Sequence, residues 1–92
     1  PVHEDLALVM DENVPALDVE RAILKAGAPL VTEAVLFDIY RGAQVGAGKK
    51  SLAFALSYQS PGKPLNERDV EKLRQRIVKQ VEKELNATLR SA

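Results

Sequence analysis

Asp38 and Tyr40 are the residues of this 92-residue chain whose types and spacing point most directly to chemistry. They stand two apart in LFDIYRG, a run that reads as a β-strand, so both side chains leave the same face. Tyr40 offers a flat ring on which a nucleic-acid base can stack, an interaction worth about 1–3 kcal/mol by alanine substitution. Asp38 offers acceptor oxygens that match the N1–H and N2–H₂ donors of guanine. Ala7 and Ser51, expected on neighbouring strands of that face, are small enough to leave room for a base. The same spacing also describes an edge strand whose outward Asp38 and Tyr40 keep it soluble, and the residues alone leave both readings open.

The elements that must position this pair follow from periodicity. Residues 34–58 read as two alternating strands around a loop containing Gly42, Gly46 and Gly48. Strict alternation puts Val35, Phe37 and Ile39 on one side of the first strand, with Phe37 in the core, and Ala34, Leu36, Asp38 and Tyr40 on the other. In the second strand Leu52, Phe54, Leu56 and Tyr58 make an apolar row opposite Ser51, Ala53, Ala55 and Ser57. Upstream, Leu6, Leu8 and Met10 alternate with Asp5, Ala7 and Val9 as a half-buried strand. Pro15 then opens a helix striped by Val19, Ala22, Ile23 and Ala26, which Gly27 and Pro29 close. Asn66 and Asp69 have the spacing of a helix cap, and Val70, Leu73, Ile77, Val81 and Leu85 stripe the helix that follows. Asn86 stops it, and residues 87–90 suit a short closing strand with Leu89 inward and Thr88 and Arg90 outward. The order β-α-β-β-α-β, with one apolar face per helix, predicts an α+β, ferredoxin-like sandwich. Its four-stranded antiparallel sheet is expected in order 4-1-3-2, with both helices on one face and the other face open.

Composition narrows the function. Hydrophobic residues make up 46% and charged residues 28%, which suits one globular domain over residues 1–92. Thirteen Lys and Arg balance thirteen Asp and Glu, so no net field draws in nucleic acid or an anionic membrane. The chain has no cysteine, which removes thiol nucleophiles, disulfides and zinc–thiolate sites. No apolar run approaches the roughly 18 residues of a membrane span, and a cytoplasmic, membrane-free setting is expected. The chain opens on Pro1 rather than methionine, which leads us to expect one piece of a longer protein.

Other motifs resolve to ordinary structure. GAQVGAGKKS lacks a phosphate-binding loop's pattern, because Ala43 and Lys50 stand where glycine and Ser or Thr are needed and a strand, not a helix, follows. KKSLAFALSY shares residues with the ribonucleoprotein motif of RNA-recognition domains, but Phe54 aligns with the apolar row and belongs in the core. His3 has no second ligand for a metal, and the charges of the last helix read as its wet face. An acylphosphatase, an enzyme of this topology, needs an arginine-bearing phosphate cradle after the first strand, and DENVPA has no arginine. No cofactor, metal or catalytic residue is expected in this domain. A module for docking protein or sensing a small molecule, without RNA, is the rival reading.

With these residues in place, the chain resembles the ferredoxin-fold anticodon-binding domain at the C-terminus of the bacterial phenylalanyl-tRNA synthetase beta subunit. DLALVMDENVPA, LFDIYRG, GKKSLAFALSY and PLNERDVEKL carry the resemblance across nearly the whole chain. It implies a module gripping the anticodon stem-loop of phenylalanine tRNA, with Tyr40 stacked on the first anticodon base, a guanine, and Asp38 hydrogen-bonded to it. Ala7 and Ser51 match other positions of the binding face, and Arg90 matches less distinctly. Arg41, Lys49 and Lys50 are candidates for phosphate contacts, which position RNA without reading sequence. The resemblance also implies partners in the rest of the beta subunit and in the alpha subunit of an α₂β₂ enzyme. The ATP and Mg²⁺ of aminoacylation would lie in those other parts.

Overall fold

Leu52, Phe54, Leu56 and Tyr58 are each completely buried, and the architecture is built around this row. In the computed structural model, which describes residues 2–90, the chain forms β1 (Val2–Asp11), α1 (Ala16–Gly27), β2 (Val31–Tyr40), β3 (Lys49–Tyr58), α2 (Glu67–Leu85) and β4 (Thr88–Leu89). Pro1, Ser91 and Ala92, part of the expected domain, lie outside the described residues. The four strands make one sheet in the order β2-β3-β1-β4, the expected 4-1-3-2, and every pairing is antiparallel. Leu6, Leu8 and Met10 of β1 lie beside the β3 row, and Val19, Ala22 and Ile23 of α1 and Leu73, Ile77 and Val81 of α2 cover it in one core.

Local signals explain where the helices begin and end. Pro15 occupies the N-cap of α1. Asn66 caps α2 by accepting from the Asp69 N–H at 2.9 Å, while Asp69 accepts from the Asn66 N–H at 3.3 Å, so two otherwise orphaned donors are satisfied. Asn86 closes α2 in the left-handed region, with φ 55°, and its N–H donates to the Glu82 carbonyl. Two of the arginines that periodicity assigns to the wet face of α2 have structural partners. Arg76 donates to the carbonyls of Ala26 and Ala28 at the end of α1, where carbonyls are left over and positive charge is favoured. Arg74 pairs with Glu4 of β1, and the other oxygen of Glu4 accepts from the Tyr58 hydroxyl at 2.8 Å.

The expected alternation fails in β2, and the failure is physical. Glu33, Val35, Asp38 and Tyr40 stand opposite Ser57, Ala55, Ala53 and Ser51, while Ala34, Leu36 and Ile39 stand opposite Leu56, Phe54 and Leu52. Thr32 and Phe37 are extra residues with no partner in this register, so each marks a β-bulge. The bulge at Phe37 resets the period of two. Ala34 and Leu36 therefore join the core side instead of the open face, Val35 turns to the open face, and Phe37 is 55% exposed instead of buried. Ile39 stays on the helix side, yet it lies on an edge strand and is 48% exposed.

Two sets of variants test these assignments. Phe54→Ala should lower unfolding stability by about 3–5 kcal/mol, whereas Phe37→Ala should cost less than about 1 kcal/mol; equal losses in denaturant titrations would contradict the bulge. For the polar cluster, Glu4→Ala should cost about 1–3 kcal/mol, because it leaves the Tyr58 hydroxyl buried without an acceptor, and Tyr58→Phe should cost less. Burial, then the hydrogen bond and charge of Glu4, push the Tyr58 phenol well above its ordinary value. Its proton is thus held by the folded state, so this contribution is intact below pH of about 10 and is lost as pH rises further. The stability of Tyr58→Phe should accordingly fall less steeply with pH above that point, and parallel curves would contradict the assignment.

Candidate nucleic-acid interface

The open face of the sheet is a floor of small residues between two longer side chains. Tyr40 of β2 stands opposite Ser51 of β3, which faces Val9 of β1, which faces Thr88 of β4. In the adjacent row Asp38 stands opposite Ala53, and Ala53 opposite Ala7. Arg90 continues the β4 register, its N–H donating to the Ala7 carbonyl at 2.9 Å. The structure therefore brings Asp38, Tyr40, Ala7 and Arg90 to one face, with Ser51 on the same side but only 3% exposed beneath its neighbours. Asp38 and Tyr40 lie about 7 Å apart along β2, and the bulge at Phe37 sets their side.

Asp38 is exposed and makes no hydrogen bond or ion pair among the described residues, so its oxygens remain acceptors. Tyr40 is half-buried, and the Arg90 guanidinium carbon lies 4.9 Å from the centre of its ring. Such a contact contributes about 0.5–1 kcal/mol at an exposed site. Arg90 also donates through Nη2 to Gln44 Oε1 at 3.4 Å, linking the chain's last described residue to the hairpin loop. Within that loop Gly46 and Gly48 have positive φ, at 98° and 73°. Gly42 lies outside that region, and its need is for space: a Cβ there would stand 2.5 Å from the Tyr40 hydroxyl.

The other basic candidates are placed differently. Arg41 Nε donates to Glu12 at 2.8 Å and Lys49 Nζ to Asp11 at 2.8 Å, so these charges cancel locally between the hairpin and the end of β1. Lys50 stands opposite Met10 on the helix side and is only 7% exposed, which removes it from the open face. Sequence reasoning missed Gly42, Gln44 and the reach of Arg90 to Tyr40. No pattern connects positions 40 and 90 until the strand order is known. The Tyr-Arg-Gly order in YRG was the one visible hint for Gly42. Among the described residues no group of three or more His, Cys, Asp or Glu stands close enough to hold a metal, and no helix is long and apolar enough to cross a membrane.

The sequence has counterparts in known proteins. A family model described as the ferredoxin-fold anticodon binding domain matches residues 1–90. The phenylalanine–tRNA ligase beta subunit of Geobacillus kaustophilus is 46% identical over 97% of this chain, which covers 11% of that protein. The beta subunits of Bifidobacterium longum and Corynebacterium glutamicum are 43% and 41% identical over 99% and 97% of the chain, covering 10% and 11% of those proteins. The chain thus spans about a tenth of the length of the curated relatives it matches. With a match from end to end of the sheet and both helices, the chain belongs to the ferredoxin-fold anticodon-binding domain family.

Proposed function

We propose that this chain is the tRNA-binding module of a phenylalanine–tRNA ligase beta subunit and reads the anticodon stem-loop of phenylalanine tRNA on its open sheet face. The observation that carries the proposal is the unpartnered Asp38 carboxylate two residues from the Tyr40 ring, above the small side chains of Ser51, Ala53 and Ala7. The ring stacks on the guanine at the first anticodon position, and the carboxylate accepts from its N1–H and N2–H₂. Two such bonds to a charged acceptor discriminate against bases lacking that pair of donors. Arg90 supplies the positive charge nearest the ring, since Arg41 and Lys49 are ion-paired and Lys50 is buried. The domain itself is non-catalytic. Aminoacylation, with ATP, Mg²⁺ and phenylalanine, belongs to other parts of an α₂β₂ enzyme in the cytoplasm, and the rest of both subunits are its protein partners.

A second reading, docking of protein without RNA, draws on one observation. Val35, Phe37 and Ile39 are about half exposed along edge strand β2. Binding of the 92-residue chain to a phenylalanine-tRNA anticodon stem-loop at low salt separates the two. Tyr40→Ala should weaken binding by about 5- to 150-fold, the range of one stacked base. Asp38→Ala should weaken it and also narrow the preference for guanine over other first anticodon bases. With Arg41 and Lys49 ion-paired and Lys50 buried beside the proposed face, the dependence on salt should be shallow, near the slope for one or two phosphate contacts. Binding indifferent to both substitutions and to the base would place the site elsewhere, and self-association without RNA affinity would favour docking.

A further inference from the structure

We propose that Gly42 and Arg90 are positioning residues that seat the Tyr40 ring for stacking; this rests on the anticodon reading proposed above. One contact is local, two residues along the chain, and the other comes from the last described residue. Tyr40 and Arg90 are separated by three strand-to-strand steps, roughly 14 Å between backbones, and their side chains meet across Ser51, Ala53, Ala7 and Val9, none larger than a valine. Arg90 is fixed at both ends, by its backbone bond to Ala7 and by its guanidinium bond to Gln44. The phenol end of the ring rests where a side chain at residue 42 would begin. A Cβ on Gly42 would lie 2.5 Å from the Tyr40 hydroxyl oxygen and 2.8 Å from Cζ.

The backbone at Gly42 lies outside the positive-φ region, so alanine is not strained there for conformational reasons. The atoms it would strike are the far end of a side chain beside an exposed loop. The ring must therefore shift while the fold stays intact. Gly42 has no side chain with which to contact RNA, so an effect of its substitution on binding comes either from the added methyl itself or through its nearest neighbour, Tyr40, and a Tyr40→Ala background separates the two.

The test is a double-mutant cycle on stem-loop binding by the 92-residue chain, with thermal melting alongside. Gly42→Ala should melt like the unmodified chain and lose affinity for the guanine-bearing loop by about tenfold, a large share of one stacking interaction. In a Tyr40→Ala background it should cost nothing further. An equal loss in both backgrounds, or no loss when Tyr40→Ala alone weakens binding, would overturn the seat while leaving Tyr40 as a reader. No effect of Tyr40→Ala would instead overturn the anticodon reading itself. A second measurement needs neither RNA nor a change at Gly42: in proton NMR of the free chain, the Arg90 side-chain resonances should be shifted by the ring and return to ordinary positions in Tyr40→Leu. Unshifted Arg90 resonances in the unmodified chain would overturn the seat even if Gly42→Ala fails to fold.

Discussion

One extra residue in β2 decides what the open face can present. An unbroken strand commits every second side chain to the same side, so a β2 that contributes Ala34 and Leu36 to the core would turn Asp38 and Tyr40 toward the helices as well. The bulge at Phe37 breaks that commitment. The first half of β2 packs beneath α1, and the second half offers a carboxylate and a ring to solvent. The cost is an exposed phenylalanine and a gap in the ladder on an edge strand, where such defects are most readily tolerated.

The floor of the face follows from the row behind it. Because Leu52, Phe54, Leu56 and Tyr58 fill the core from β3, stability asks little of Ser51, Ala53, Ala55 and Ser57 on the reverse side. Their small size leaves the sheet surface flat, and flatness suits a base better than a pocket would. Electrostatics restrain the same surface. The hairpin's Arg41 and Lys49 are matched by Glu12 and Asp11, so the approach to the face carries little net charge. On the proposed reading, a surface built this way would discriminate by contact more than by attraction.

Most of this fold was legible because the helices and three long strands obey simple periods and carry clear punctuation at Pro15, Gly27, Asn66 and Asn86. The partition of β3 into apolar and small rows, the strand order, and Asp38 and Tyr40 on the open face all follow from sequence. The route to that last placement was incomplete, since strict alternation also sent Ala34 and Leu36 to the open face. A bulge depends on how two strands pair, and nothing local around Phe37, neither glycine nor proline, announces one. Lys50 was illegible for a related reason. Its composition suggests a phosphate contact, whereas its register opposite Met10 buries it. The Arg90 contact with Tyr40 lay beyond reach because it spans 50 residues of sequence and exists only once β4 has added to the edge of the sheet beside β1.

Why a tyrosine on an open face should be held at all is a question of entropy. A free aromatic side chain in a solvated strand samples several rotamers, and fixing such a side chain on binding costs on the order of 0.5–1.5 kcal/mol. That is comparable with a good part of what one stacked base contributes. A ring already placed by Gly42 and Arg90 has met this cost during folding, where the closing of β4 against β1 supplies it. The last strand is only two residues long, and its contribution to the core is small, with Leu89 half exposed. Its larger consequence is to carry Arg90 to a place on the sheet from which its guanidinium reaches the ring.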